Sequence, residues 1–210
     1  ALEALADALD APAHPIVRDA VSPRAQLPSG ELTAEKACLT IAALQPEHAI
    51  IVDEGITTGF TYYPLTASSP PHSFLTIAGG SIGYGMPCAT GAAIACPDRP
   101  VINFQADGSA LYTVQALWTQ AREGLHVITL ICSNRSYKIL QLELSRAGIT
   151  SYGDNARALT ELNGPPIEWV SVARGFGVPA VSVDTVEGLA RELHIGLAEP
   201  GPRLIEMLLP

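Results

Sequence analysis

Short apolar runs alternate with helically spaced segments over most of this chain. Ala49 to Val52, Val101 to Phe104, Val127 to Cys132, Ala180 to Val183 and Arg203 to Leu209 each have the length and β-branched content of a buried strand. Between them, apolar positions recur with helical spacing: Glu31 to Leu44 before a stop at Pro46, Pro87 to Ala95, Leu111 to Gly124, Ile167 to Phe176, and 185 to 198. Strands that alternate with helices predict a doubly wound parallel sheet, an α/β fold with helices on both faces. On the crossover helix 111–124, Leu117 and Trp118 are expected in the core. The stretch from Asp53 to Thr58 reads as a loop, a Pro-rich connector follows it, and 145 to 165 reads as a further loop region.

Residues 1–30 follow a different pattern. Leu2, Leu5, Ala6 and Leu9 have helical spacing, and Pro12, Pro15, Pro23 and Pro28 then break the chain into an extended, turn-rich stretch. We expect 1–30 to be a linker with the tail of a preceding domain, and 31–210 to be one compact domain. A first residue other than Met suggests a fragment or a processed product.

Composition narrows the class. The 210 residues are 48% hydrophobic and only 16% charged, which implies large buried surfaces. No apolar run reaches the ~20 residues needed to span a bilayer, and a net charge of −9 disfavours nucleic acid or an anionic membrane as partner. Cys38, Cys88, Cys96 and Cys132 lie in apolar segments without paired metal spacing, so they read as small buried hydrophobes of a reducing, cytoplasmic compartment. His14, His48, His72, His126 and His194 show no ligand spacing; only His72, beside Pro70-Pro71, is placed to approach a ligand.

The chemistry concentrates where two strands end. Asp107, in Ala106-Asp107-Gly108-Ser109, follows one apolar run, and Asn134, in Ser133-Asn134-Arg135-Ser136-Tyr137, follows the next, 27 positions later. A helical crossover of that length makes the two strands parallel, so the carboxylate and the amide emerge at the same sheet edge. Two hard oxygen ligands suit a magnesium ion that bridges to phosphate. Taken alone, Asp-Gly-Ser after a strand also describes a simple turn. Gly79-Gly80-Ser81-Ile82-Gly83-Tyr84-Gly85 is glycine-rich, but no Gly-Lys-Ser/Thr follows it, and no Gly-x-Gly-x-x-Gly follows the first strand, so neither nucleotide-loop class fits.

These motifs resemble the diphosphate-binding domain of thiamine-diphosphate enzymes, in the branch of benzoylformate decarboxylase and acetolactate synthase large subunits. The family pattern is Gly-Asp-Gly followed by Asn-Asn; here the first glycine is Ala106 and the first asparagine is Ser133. The resemblance runs from about residue 30 to about 208 and includes Tyr112 to Thr119 and Gly79 to Pro87. It implies that magnesium is held by Asp107, Asn134 and the carbonyl of Ser136. It implies diphosphate contacts from Thr57, Gly108, Ser109, Tyr137 and Ile139. Gly80 and Ser81 would lie against the pyrimidine, with Ile82 as the wedge that bends the cofactor. Leu140 and Glu143 would line a substrate pocket.

Glu54 invites assignment as an acid–base group, but the family's activating glutamate comes from a separate pyrimidine-binding domain, so activity implies a partner domain and a homo-oligomer. The resemblance therefore implies a 2-oxo acid decarboxylase or an acetolactate synthase-like carboligase, working through thiamine diphosphate and magnesium. The alternative reading is a non-catalytic or proteolytic fragment that keeps the fold as a binding or assembly domain.

Overall fold

The computed structural model describes residues 1–12 and 23–210. Its centre is a six-stranded sheet in the order β2-β1-β3-β4-β6-β5, every neighbouring pair parallel. The strands are β1 (Ile50–Glu54), β2 (Ser73–Thr76), β3 (Val101–Ala106), β4 (Val127–Ser133), β5 (Ala180–Val183) and β6 (Arg203–Leu208). The helices are α1 (Leu2–Ala8), α2 (Ala34–Leu44), α3 (Tyr62–Leu65), α4 (Gly85–Ala95), α5 (Asp107–Ala110), α6 (Ala116–Glu123), α7 (Lys138–Arg146), α8 (Asp154–Ala158), α9 (Trp169–Gly175) and α10 (Val186–Ala198).

Both faces of the sheet are buried, which is why its strands read as continuous apolar runs. On one face, Ile51, Ile102, Phe104, Ile128, Leu130 and Ile205 pack against Ile41 of α2, Tyr62 of α3 and Leu193 of α10. On the other, Ile131 and Leu204 meet Met86, Leu117 and Trp169, while Val52, Val101 and Val127 meet Ala89 and Ala93 of α4. The expected doubly wound architecture is therefore present.

Several boundaries differ from the sequence expectation. The first strand runs on through Asp53 and Glu54, two residues that read as loop. The Pro-rich connector holds an unexpected edge strand, β2, and the loop region 145–165 contains α8. The segment expected as one helix from Leu111 to Gly124 opens instead with a turn over 111–115, which follows α5, and only then forms α6, capped by Gly124 with φ +61°. Its two expected core residues part company: Leu117 is fully buried, whereas Trp118 is 51% exposed with the Arg122 guanidinium over its ring. The helix expected from Glu31 begins at Ala34, where the Thr33 hydroxyl accepts from the Lys36 amide. The expected helical turn near the amino terminus is present as α1, exposed along its length. Pro15 and His14 lie outside the described residues.

All four cysteines are free; Cys38 and Cys132 are buried, but Cys88 and Cys96 are only half-buried. Among the described residues, no helix is long and apolar enough to cross a membrane. Leu130, fully buried at the centre of β4, gives a direct measure of this packing. Leu130→Ala is expected to lower unfolding stability by about 2–5 kcal/mol, read from urea denaturation followed by circular dichroism.

Candidate functional site

The parallel register brings the carboxyl ends of β1, β3 and β4 to one edge, with Glu54 opposite Gln105 and Ala106 opposite Cys132. A cleft of about 590 Å³ opens there. Of the residues singled out in the sequence, Thr57, Gly80, Ile82, Asp107, Gly108, Ser109, Asn134, Ser136, Tyr137, Ile139 and Leu140 line it. Ser81 does not line the cleft, although both its neighbours do. Glu143 also lies outside that wall: on α7, one turn beyond Ile139 and Leu140, it is exposed and paired with Arg146 at 2.5 Å.

Asp107 is the first residue of α5 and only 2% exposed. Its Oδ1 accepts from the Gly108 amide at 2.8 Å, and its Oδ2 accepts from the Arg135 amide at 2.6 Å. Burial pushes its pKa up to about 6, against the pull of those amide donors. None of the ion pairs among the described residues involves it.

The Asn134 Oδ1 accepts from the Ser136 amide at 3.0 Å, an Asx-type turn that folds the chain back at the end of β4. Arg135, between them, has φ +55°, a left-handed conformation uncommon for a residue with a Cβ. Its amide donation to Asp107 is the contact that this turn makes available. Ala106, by contrast, has φ −69° and ψ 143°, so alanine in place of the family's glycine carries no backbone strain.

Gly108 is required for a different reason. A Cβ there would lie 2.4 Å from Cε1 of Tyr137, so the ring closes directly over the loop. The Ser109 hydroxyl is turned inward, accepting from Gln105 Nε2 at 2.7 Å and donating to the Ala106 carbonyl at 3.2 Å.

Residues beyond the sequence expectation complete the walls. Phe60, Tyr63, Phe74 and Ile77 give the cleft an apolar side, and Asp53 and Lys138 also reach it. Phe60 and Tyr63 lie in the segment that read as a connector, where only their aromatic character hinted at a role. Ile82 is 39% exposed, an apolar side chain presented to the cleft.

Glu54 is 1% exposed and accepts from the amides of Gly83 and Gly85, both at 2.5 Å. Both its oxygens are thus engaged by backbone. His72 is not among the lining residues; its Nδ1 lies 2.8 Å from the Pro70 carbonyl. His126 and His194 likewise meet backbone carbonyls. Where β3 and β4 end, the candidate ligands are the Asp107 carboxylate and neutral oxygens, and among the described residues no three His, Cys, Asp or Glu side chains gather as a metal cluster.

Comparison with known proteins identifies the family. Residues 55–207 match the family model described as thiamine pyrophosphate enzyme, C-terminal TPP binding domain. The chain is 47% identical over 211 residues to IlvX of Mycobacterium tuberculosis, provisionally named an acetolactate synthase large subunit, covering 98% of this chain and 41% of that one. It is 33% identical over 207 residues to benzoylformate decarboxylase of Pseudomonas aeruginosa, covering 98% of this chain and 38% of that enzyme. Among solved structures, the thiamine diphosphate-dependent 4-hydroxybenzoylformate decarboxylase of Rhodococcus jostii superposes with a TM-score of 0.80 at 28% identity, over 99% of this chain and 38% of that one. The chain belongs to the thiamine pyrophosphate enzyme family and forms its C-terminal cofactor-binding domain. It spans about two fifths of the length of these relatives.

Gly108→Ala is expected to displace the Tyr137 ring and to lower affinity for thiamine diphosphate, with circular dichroism unchanged. Isothermal titration of wild type and variant in the assembled protein checks it; equal affinities would remove the steric argument.

Proposed function

We propose that the cleft binds thiamine diphosphate through a magnesium ion, and that the chain serves a 2-oxo acid decarboxylase or an acetolactate synthase-like carboligase. The observation that carries this reading is the convergence of Asp107, Asn134 and Ile82, from three separate segments, on one cleft. A divalent cation fits the donor set. Asp107 is a buried carboxylate with amide partners and no counter-charge, and a cation at its oxygens would offset the cost of that burial. Hard neutral oxygens from Asn134 and the Ser136 carbonyl would complete the protein's share of an oxygen shell.

Thr57, Gly108, Ser109, Tyr137 and Ile139 would then grip the diphosphate. Because the Gly108 amide is held by Asp107 and the Ser109 hydroxyl by Gln105, their part is to shape the loop against the phosphates. Gly80 and Ser81 would meet the pyrimidine with backbone groups, and Ile82 would press on the cofactor and keep it bent. Leu140 would face the substrate; Glu143 joins it only by a change of rotamer away from Arg146.

When bound, the cofactor supplies the nucleophilic carbon and the electron sink that such a reaction needs. The chain's own residues anchor, orient and exclude water from one side. Because Glu54 is committed to two backbone amides, the activating glutamate would come from the pyrimidine-binding domain, in the remainder of the protein or in another subunit of a homo-oligomer. We assign residues 1–30 to a linker and the tail of a preceding domain, 31–210 to the cofactor domain, and the whole to the cytoplasm, where the half-buried thiols stay reduced.

Asp107→Ala is expected to abolish magnesium-dependent cofactor binding in the assembled enzyme, a loss of at least about 100-fold in affinity on removal of a ligating carboxylate. Calorimetric titration with magnesium present checks it, and undiminished binding would refute the site. The 210-residue chain alone is expected to decarboxylate no 2-oxo acid with thiamine diphosphate and magnesium supplied. Carbon dioxide release by a verified monomer would show that the chain contains its own activating base.

A further inference from the structure

We propose that Glu54 is a positioning residue which, with its strand neighbour Gln105, locks the glycine segment 79–85 to the loop that carries Asp107, and so sets where Ile82 stands relative to the metal-diphosphate anchor. The inference rests on the thiamine diphosphate reading above and adds to it residues that the family pattern does not name.

The geometry is specific. Glu54 ends β1 and Gln105 lies opposite it on β3, so their side chains share one face of the sheet at its carboxyl edge. Both are buried. The two carboxylate oxygens of Glu54 divide between the amides of Gly83 and Gly85, 29 and 31 residues away in sequence. Gly83 is held on its other side as well, because the Thr113 hydroxyl donates to its carbonyl at 2.9 Å.

Gly85 has no room for a side chain: a Cβ there would lie 2.3 Å from Oε1 of Gln105 and 2.7 Å from Oε2 of Glu54. Gln105 turns its other end the opposite way and donates to Ser109 at 2.7 Å. Two side chains thus join the segment bearing Ile82 to the turn bearing Asp107 and Ser109. A carboxylate that accepts two backbone donors is stronger in this role than a neutral group, and it leaves neither oxygen free for proton transfer.

Glu54→Gln tests the proposal, since it keeps the shape but points an amide donor at one of the two N–H groups. In the unliganded chain, exchange of the Gly83 and Gly85 amides measured by NMR should quicken roughly 10-fold or more, as loss of a charge-assisted bond requires. In the assembled enzyme, turnover per bound cofactor should fall roughly 10-fold to 100-fold, the scale of a small misplacement. Affinity for thiamine diphosphate should stay within about threefold, because the anchor is untouched. The shape of the pH profile of kcat should be unchanged.

Unchanged amide exchange would overturn the clamp. Loss of a limb of the pH profile would make Glu54 an acid–base group instead, and reduced thermal stability with normal turnover per bound cofactor would make it structural only. If the wild-type assembly binds no thiamine diphosphate, the cofactor reading fails while the exchange data still judge the clamp. Should Glu54→Gln not fold, Thr113→Val removes the opposing hold on Gly83 and is expected to shift both readouts in the same direction; no shift in either would refute the proposal.

Discussion

The parallel alignment of β1, β3 and β4 is the constraint on which the site depends. A parallel ladder forces each strand to return by a crossover over one face, so every carboxyl end points the same way and the connecting loops gather at a single edge. Asp107 and Asn134 are far apart in sequence yet become neighbours because Ala106 lies opposite Cys132 in the ladder. The same alignment sets Glu54 beside Gln105. Nothing local to any one of these residues would produce the cleft.

That arrangement has an electrostatic cost concentrated at Asp107. Burial raises its pKa to about 6, and two backbone amides offset only part of the penalty. The fold tolerates this because the surrounding core is deep: Phe104, Leu130 and Ile131 are fully buried on the strands that flank the site. Under the proposed magnesium reading, a cation at Asp107 would offset that cost, and ligand affinity and stability would be coupled through a single carboxylate.

Much of this was legible in the sequence. A strand buried on both faces is mostly apolar, so Val127 to Cys132, with Thr129 its one hydroxyl, reads as a strand, and the spacing of Asp107 from Asn134 follows from one crossover. What escaped detection depended on tertiary contact. β2 is four residues long, follows two prolines and owes its existence to pairing with β1. Glu54 looked like loop because a charged residue at a strand's end has no local signature, and only the distant Gly83 and Gly85 amides explain it. Trp118, expected in the core beside Leu117, is one position further along α6, and about 100° of helical rotation turns it towards solvent. Glu143 shares α7, a helix not foreseen from the sequence, with Ile139 and Leu140 but turns to Arg146, a choice made by a neighbour one turn away.

The short edge strand carries a consequence of its own. β2 pairs only with β1 among the described strands, so half of its backbone donors and acceptors face away from the ladder, and Leu75 is part of that exposed margin. An unpaired parallel edge is a template for strand addition from another chain. Four residues preceded by Pro70-Pro71 offer few such bonds, and a proline cannot extend the ladder. Brevity here limits fibrillar growth, since a four-residue edge offers an incoming strand few backbone bonds.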